Sequence, residues 1–281
     1  MHNDLVYDIG MHHGENTEYY LKRGFRVIAV EANPTLVEQA KKRFAREIAD
    51  GKLVVINAGI AETEGELPFW VSEHTIWSSF DRASASRNGT AHHQVVIPCR
   101  RFRSLLEEHG SPFYLKVDIE GNDMLCLVDL AKDDLPKYVS VEATDIELLN
   151  KLHDLGYAEF KCISQYNLVS IETPASPEQS RLERIQKLLY SKNGFVRLAR
   201  GLGAKKWLLR QITGPFTIGG HIFPIGSSGP FGDDLPGRWQ TYQEMSVTYR
   251  RCHQWNGEGR ASLFWTDTPH SLWADFHAKR D

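Results

Sequence analysis

Short apolar runs recur along the first 165 residues, separated by stretches whose apolar positions have helical spacing or by glycine-containing turns. Strand and helix alternating in this way imply a parallel sheet with helices on both faces. The runs predict strands at about 4–9, 26–31, 53–57, 113–119 and 137–142, with a sixth at 157–163. Helices are expected at about 15–23, 35–49, 102–109, 122–131 and 145–155. Pro34 stands where a helix start tolerates proline, and Gly51 where a helix end favours glycine. Between the third and fourth of these strands lies an excursion, in which residues 66–71 and 93–98 read as extra strands around a polar loop, residues 72–92.

After about residue 165 the pattern changes. Residues 174–210 read as helices, and residues 181–210 carry nine Lys or Arg against one acid, Glu183. Residues 214–237 are rich in glycine and proline, which predicts loop. The closing apolar stretch that begins at Ser271 can supply a last strand to the first sheet. The expected division is a core over residues 1–165, an insertion or lid over 166–268, and a last strand within 269–281.

Candidate chemistry begins in the first two strands. The run ending in Asp8 is followed by Gly10, Met11, His12, His13 and Gly14, and the second run ends in Glu31. This is the opening β-α-β of a nucleotide-binding sheet, with glycines for a tight turn and an acid placed to accept ribose hydroxyls. The 21-residue step from Gly10 to Glu31 fits either a nicotinamide or an S-adenosylmethionine (SAM) site. The turn separates them: a dinucleotide turn reads G-x-G-x-x-G and meets a pyrophosphate, whereas this one reads D-x-G-x-x-x-G. Asp8 would repel a pyrophosphate and suits the ammonium and sulfonium of SAM.

A second signal lies in the expected fourth strand, where Lys116, Asp118 and Glu120 alternate and so share one face. Central parallel strands are normally apolar throughout. Three charges on one face are tolerated where a strand end opens into a wet crevice, the place where open α/β sheets bind ligands. The alternative for Lys116 is a simple ion pair with a neighbouring carboxylate.

Composition adds bounds. The formal charge of −3 gives no global case for nucleic acid or membrane binding. Cys99, Cys126, Cys162 and Cys252 form no C-x-x-C pair, so reduced thiols in a cytoplasm are expected. No apolar run approaches the ~18 residues of a membrane span, and the first strand starts too early to leave room for a signal peptide. The histidines have no metal-ligand spacing, and nucleophile-elbow and P-loop patterns are missing.

Taken together, Asp8, Gly10, Gly14 and Thr17, then Glu31 with Asn33 and Pro34, then Lys116, Asp118, Glu120 and Gly121 resemble the motifs of the FkbM family of SAM-dependent methyltransferases. The resemblance covers roughly residues 4–165 and extends to the Ser78-Ser79 pair in the excursion loop. It departs at Met11-His12, where the family has Ala-Asn. It implies a class I methyltransferase fold: a mostly parallel sheet of seven strands, the last antiparallel, with helices on both faces. It also implies methyl transfer to oxygen, commonly on a sugar, glycan or secondary metabolite.

On that reading Asp8, Gly10, Gly14, Thr17, Glu31, Ala58 and Ile60 hold SAM, with Ala58 and Ile60 against the adenine. Ser78 and Ser79 face the acceptor, and Asp118 and Glu120 act as base or acceptor-orienting groups. Two close carboxylates can also hold Mg²⁺, but with no third ligand in view no metal is expected. The expected partner is a small-molecule or glycan acceptor, not nucleic acid. A nicotinamide-dependent oxidoreductase and a noncatalytic nucleotide-binding module are the alternatives.

Overall fold

A computed structural model describes residues 2–119, 121–177, 179–181, 184–185, 198, 215–257 and 273–280. The chain divides into two compact units, Met1–Val141 and Glu142–Asp281. The strands of the first unit are β1 (His2–Ile9), β2 (Arg26–Glu31), β3 (Leu53–Asn57), β4 (Gly59–Ile60), β5 (Gly65–Ser72), β6 (His92–Arg100), β7 (Pro112–Val117) and β8 (Tyr138–Glu142). Its helices are α1 (Glu15–Lys22), α2 (Pro34–Arg43), α3 (Ala45–Ala49), α4 (Arg82–Ala85), α5 (Phe102–His109) and α6 (Asp123–Val128).

Five strands lie in the order β8-β7-β1-β2-β3, every neighbouring pair parallel. Both faces are covered, so β1 buries Leu5, Val6, Tyr7 and Ile9 alike. The chain goes from β1 outward through β2 to β3, then returns to the other side of β1 with β7. That reversal makes the carboxyl ends of β1, β2 and β7 the rim of a crevice.

The excursion is more regular than its polar composition suggests. β5 and β6 pair antiparallel from Gly65↔Cys99 to Ser72↔His92, and β4 joins β6 in a three-stranded sheet. Phe69, Val71, Ile97 and Cys99 form its core. The helix expected over residues 35–49 is instead two, α2 and α3, broken at Phe44. Phe44 leaves helical geometry (φ −107°, ψ 25°) as its ring is buried against Gly14.

The second unit holds α7 (Ile146–Asp154), β9 (Glu159–Ser164), β10 (Ser170–Ile171), β11 (Phe216–Ile218), β12 (His221–Phe223), α8 (Tyr242–Gly257) and β13 (Ala274–Lys279). β13 runs antiparallel to β9, from Ala274↔Ser164 to Lys279↔Glu159, as the resemblance implies for the last strand. The seven expected strands are β1, β2, β3, β7, β8, β9 and β13, and the two-residue β10 is an eighth.

Residues 214–237 depart from the expected loop. β11 and β12 form an antiparallel hairpin closed by Gly219 and Gly220, both at positive φ (54° and 78°). That is the backbone a two-residue hairpin turn needs, and Gly-Gly supplies it without a Cβ clash. Most of the basic segment 181–210 lies outside the described residues.

Candidate donor and acceptor cavity

The glycine turn follows β1. Gly10 adopts φ 80°, and a Cβ there would lie 1.8 Å from the Asp118 carbonyl oxygen. The residue is therefore glycine because the end of β7 closes directly on it. Gly14, also at φ 80°, faces the Phe44 ring in the same way. The turn is pinned to β2, since the Gly10 and Met11 amides both donate to the Val30 carbonyl (2.9 and 3.1 Å).

Asp8 is 0% exposed. Thr17 Oγ1 donates to its carboxylate at 2.6 Å, and Lys116 Nζ lies 3.2 Å from the other oxygen. Asp8 and Lys116 are register partners on β1 and β7, so their side chains leave the sheet side by side. Asp8, Gly14 and Thr17 are not among the residues that line the cavity.

The cavity holds about 690 Å³ of space open to solvent, within the range of small-molecule sites. Gly10, His12, Glu31, Ala58, Ile60, Ser78, Ser79, Asp118 and Asn122 all line it. Seven of the residues picked from sequence therefore share one hollow. Glu31 sits at the end of β2 with 9% exposure. One of its oxygens accepts from the Asn33 amide (2.8 Å) and the other from the His12 amide (2.9 Å). Burial pushes its carboxyl up to about 7, against the pull of those two amides. Each oxygen keeps a lone pair for a ligand hydroxyl.

His12 takes φ 52°, in the left-handed region. Asn and His are among the few side chains that tolerate it, which accounts for His in place of the family's Asn. Its Nε2 is 2.7 Å from Thr75 Oγ1. Burial first, then His13 and Lys116, lower its pKa to about 4, so the imidazole is neutral at pH 7. His13 is exposed.

Lys116 is buried and lies 3.7 Å from Asp118. Burial pushes the Asp118 carboxyl up, Lys116 pulls it down and Asp8 adds to the rise. Asp123, at the start of α6, accepts from the Ile119 amide at 3.3 Å and so braces the turn that carries Asp118. Burial, with Asp118 nearby, pushes Asp123 up to about 6. Glu120 lies outside the described residues.

The far end of the cavity is apolar. Ala58 and Ile60 meet Phe69 and Phe80, whose rings pack edge to face at 5.2 Å. Gly59 lets the ring approach: a Cβ there would fall 2.3 Å from Phe80, which would then have to shift. Ser78 and Ser79 use their hydroxyl oxygens to accept from the Ser72 and Asp81 amides (both 3.1 Å), leaving each O–H free to donate. Sequence reasoning missed Phe69, Phe80, Thr75 and Asn122. Only Phe69 had a signal, its inward place in an alternating strand.

Over 52 residues the chain is 50% identical to the probable ribosomal RNA small subunit methyltransferase A of Methanospirillum hungatei JF-1, matching 18% of this chain and 20% of that protein. It thus spans about a fifth of that curated relative's length. Precorrin-6y C5,15-methyltransferase from Geobacter metallireducens GS-15 aligns at 14% identity and TM-score 0.33, over 57% of this chain and 66% of its own. The methyltransferase domain of bacterial-CtHen1-CN aligns at 14% identity and TM-score 0.32, over 57% and 80% respectively. The family model of the methyltransferase FkbM domain matches residues 8–159, so the chain belongs to the FkbM methyltransferase family, with its class I α/β fold.

Proposed function

We propose that this methyltransferase takes its methyl group from SAM and transfers it to a hydroxyl of a sugar, glycan or secondary metabolite. The observation that carries the reading is the pair of acids, Glu31 and Asp118, on the walls of one cavity whose far end is apolar. Glu31 suits the ribose of either ligand, but a dinucleotide's pyrophosphate would need amides and cations where Asp118 stands. The residues present fit SAM: Glu31 for the ribose hydroxyls, Ala58, Ile60, Phe69 and Phe80 for the adenine, and Gly10 and Asn122 toward the amino-acid end. When bound, SAM supplies an electrophilic methyl on a sulfonium sulfur.

The chain's own part is positioning and proton removal. Asp118 accepts the proton of the acceptor hydroxyl at the cavity wall, with Glu120 as the second candidate acid. Ser78 and Ser79 orient the acceptor through their free O–H groups. Asp8, Gly14 and Thr17 support from behind, by fixing the turn and its charge. Among the described residues no group of three or more His, Cys, Asp and Glu is placed to hold a metal, and none is invoked. The four free cysteines fit a reducing cytoplasm. Among the described residues no helix is long and apolar enough to cross a membrane.

Calorimetry with SAM, S-adenosylhomocysteine and NADH tests the donor. Binding of the first two and not the third is expected. Glu31→Ala should weaken SAM binding about 100-fold, since two hydroxyl contacts to a charged acceptor are lost. Near-wild-type affinity in that variant would reject the ribose assignment, and NADH binding would revive the oxidoreductase. A binding module without chemistry would bind SAM and methylate nothing. Labelled SAM screened against glycans, secondary metabolites and ribosomal RNA identifies the acceptor class, and labelling of RNA alone would overturn the one proposed.

A further inference from the structure

Lys116 occupies an unusual position. Its side chain is 4% exposed and leaves β7, between β8 and β1 in the sheet. Three oxygens gather round it: the Gly10 carbonyl at 2.7 Å, Asp8 Oδ1 at 3.2 Å and Asp118 Oδ2 at 3.7 Å. These come from the glycine turn, from β1 and from the residue just beyond β7. A buried ammonium is tolerated only with such partners. One cation between two carboxylates leaves one negative charge in excess. Asp8 is wholly buried whereas Asp118 is 25% exposed, so the excess appears on the cavity side.

We propose that Lys116 is a positioning residue: one buried ammonium that ties the glycine turn to the end of β7 and holds the Asp118 carboxylate charged at the cavity wall. The proposal rests on the reading of that cavity as the donor and acceptor site. Lys116 itself does not line the cavity, so it acts through Asp118. The groups that face Asp118 are Lys116 from its own strand, Asp8 from β1 and Asp123 from α6, and of these only Lys116 favours the charged form. Glu31 stands across the cavity, where it feels Lys116 and Asp8 in turn. His12, neutral at pH 7, adds no second cation.

The test reads the ionisation of Asp118 directly, in protein carrying ¹³C-labelled aspartate, its resonance assigned by its loss in Asp118→Asn. Lys116→Met should raise the Asp118 midpoint by about 1–3 pH units, the range expected when an opposite charge at this distance is removed. Lys116→Arg, which keeps the charge, should move it less. Asp8→Asn leaves Lys116 to Asp118 alone and should move the midpoint down. An unmoved midpoint in folded Lys116→Met would overturn the proposal. Should that variant fail to fold, Asp8→Asn decides, and a midpoint that does not fall overturns it equally. SAM titrated into the wild type separates the two readings: midpoint shifts without SAM binding would sustain Lys116's hold on Asp118 while rejecting the donor site.

Discussion

At the scale of single residues, the glycine turn shows how little freedom the site allows. Gly10 has two independent constraints, a positive φ and a neighbouring carbonyl oxygen that leaves no space for a methyl group. Gly10→Ala should therefore destabilise the chain by about 3 kcal/mol or more, combining left-handed strain with a displaced β7 end. Urea unfolding measures it, and a loss under 1 kcal/mol would mean the strand end yields without cost. The acids were legible from sequence because a carboxylate closing an apolar run has few reasons to be there. The direction each one faces was not legible. Asp8 and Glu31 both end parallel strands, yet Asp8 turns inward to Thr17 and Lys116 while Glu31 turns to the cavity. Asp8 meets Lys116 through the register between β1 and β7, and Glu31 lies two residues beyond Ala29, the partner of Asp8 on β2, nearer the strand's end; both are long-range facts.

At the scale of elements, the strand–helix alternation was readable because burial on both faces makes parallel strands apolar throughout. The excursion was readable as two extra strands but not as a cavity wall. Phe80 and Thr75 reach the cavity only because β5 and β6 fold the intervening loop back over it, where Ser79 bridges to Trp70. The hairpin at β11 and β12 was missed because glycine content was weighed as a loop signal, while the adjacent pair Gly219-Gly220 is itself a hairpin turn. Phe44 marks another limit: helical spacing continues through residues 35–49, and tertiary packing breaks it. Phe44→Ala should cost about 3–4 kcal/mol as a buried ring is lost. It should also free Gly14 from its neighbour. Gly14→Ala measured in the Phe44→Ala background should therefore cost less than in the wild type, and additive losses would show that the ring does not press on the turn.

At the scale of the whole molecule, the ionisable groups pull stability in opposite directions over one pH window. Glu31, with a carboxyl raised to about 7 from an ordinary 4.5, binds its proton more tightly when folded. Its contribution is complete below about pH 4.5 and is lost as pH rises through 7. Asp123, raised to about 6, behaves alike. His277 in β13 is 2% exposed beside Lys161, and burial, with that lysine, lowers it to about 3 from 6.5. Its contribution is complete above about pH 6.5 and is lost as pH falls toward 3. Between pH 4.5 and 6.5 the two slopes oppose each other, so the wild-type midpoint should vary little there. Single variants expose the slopes. Glu31→Gln should gain stability relative to the wild type as pH rises from 4.5 to 7, by up to about 3 kcal/mol. His277→Gln should gain relative to the wild type as pH falls from 6.5 to 4.5. Thermal midpoints across pH 4.5–7.5 measure both. Curves for either variant that run parallel to the wild type would mean that burial of that group does not set the slope, and for Glu31 that its carboxylate is already charged at neutral pH without a ligand to hold it so.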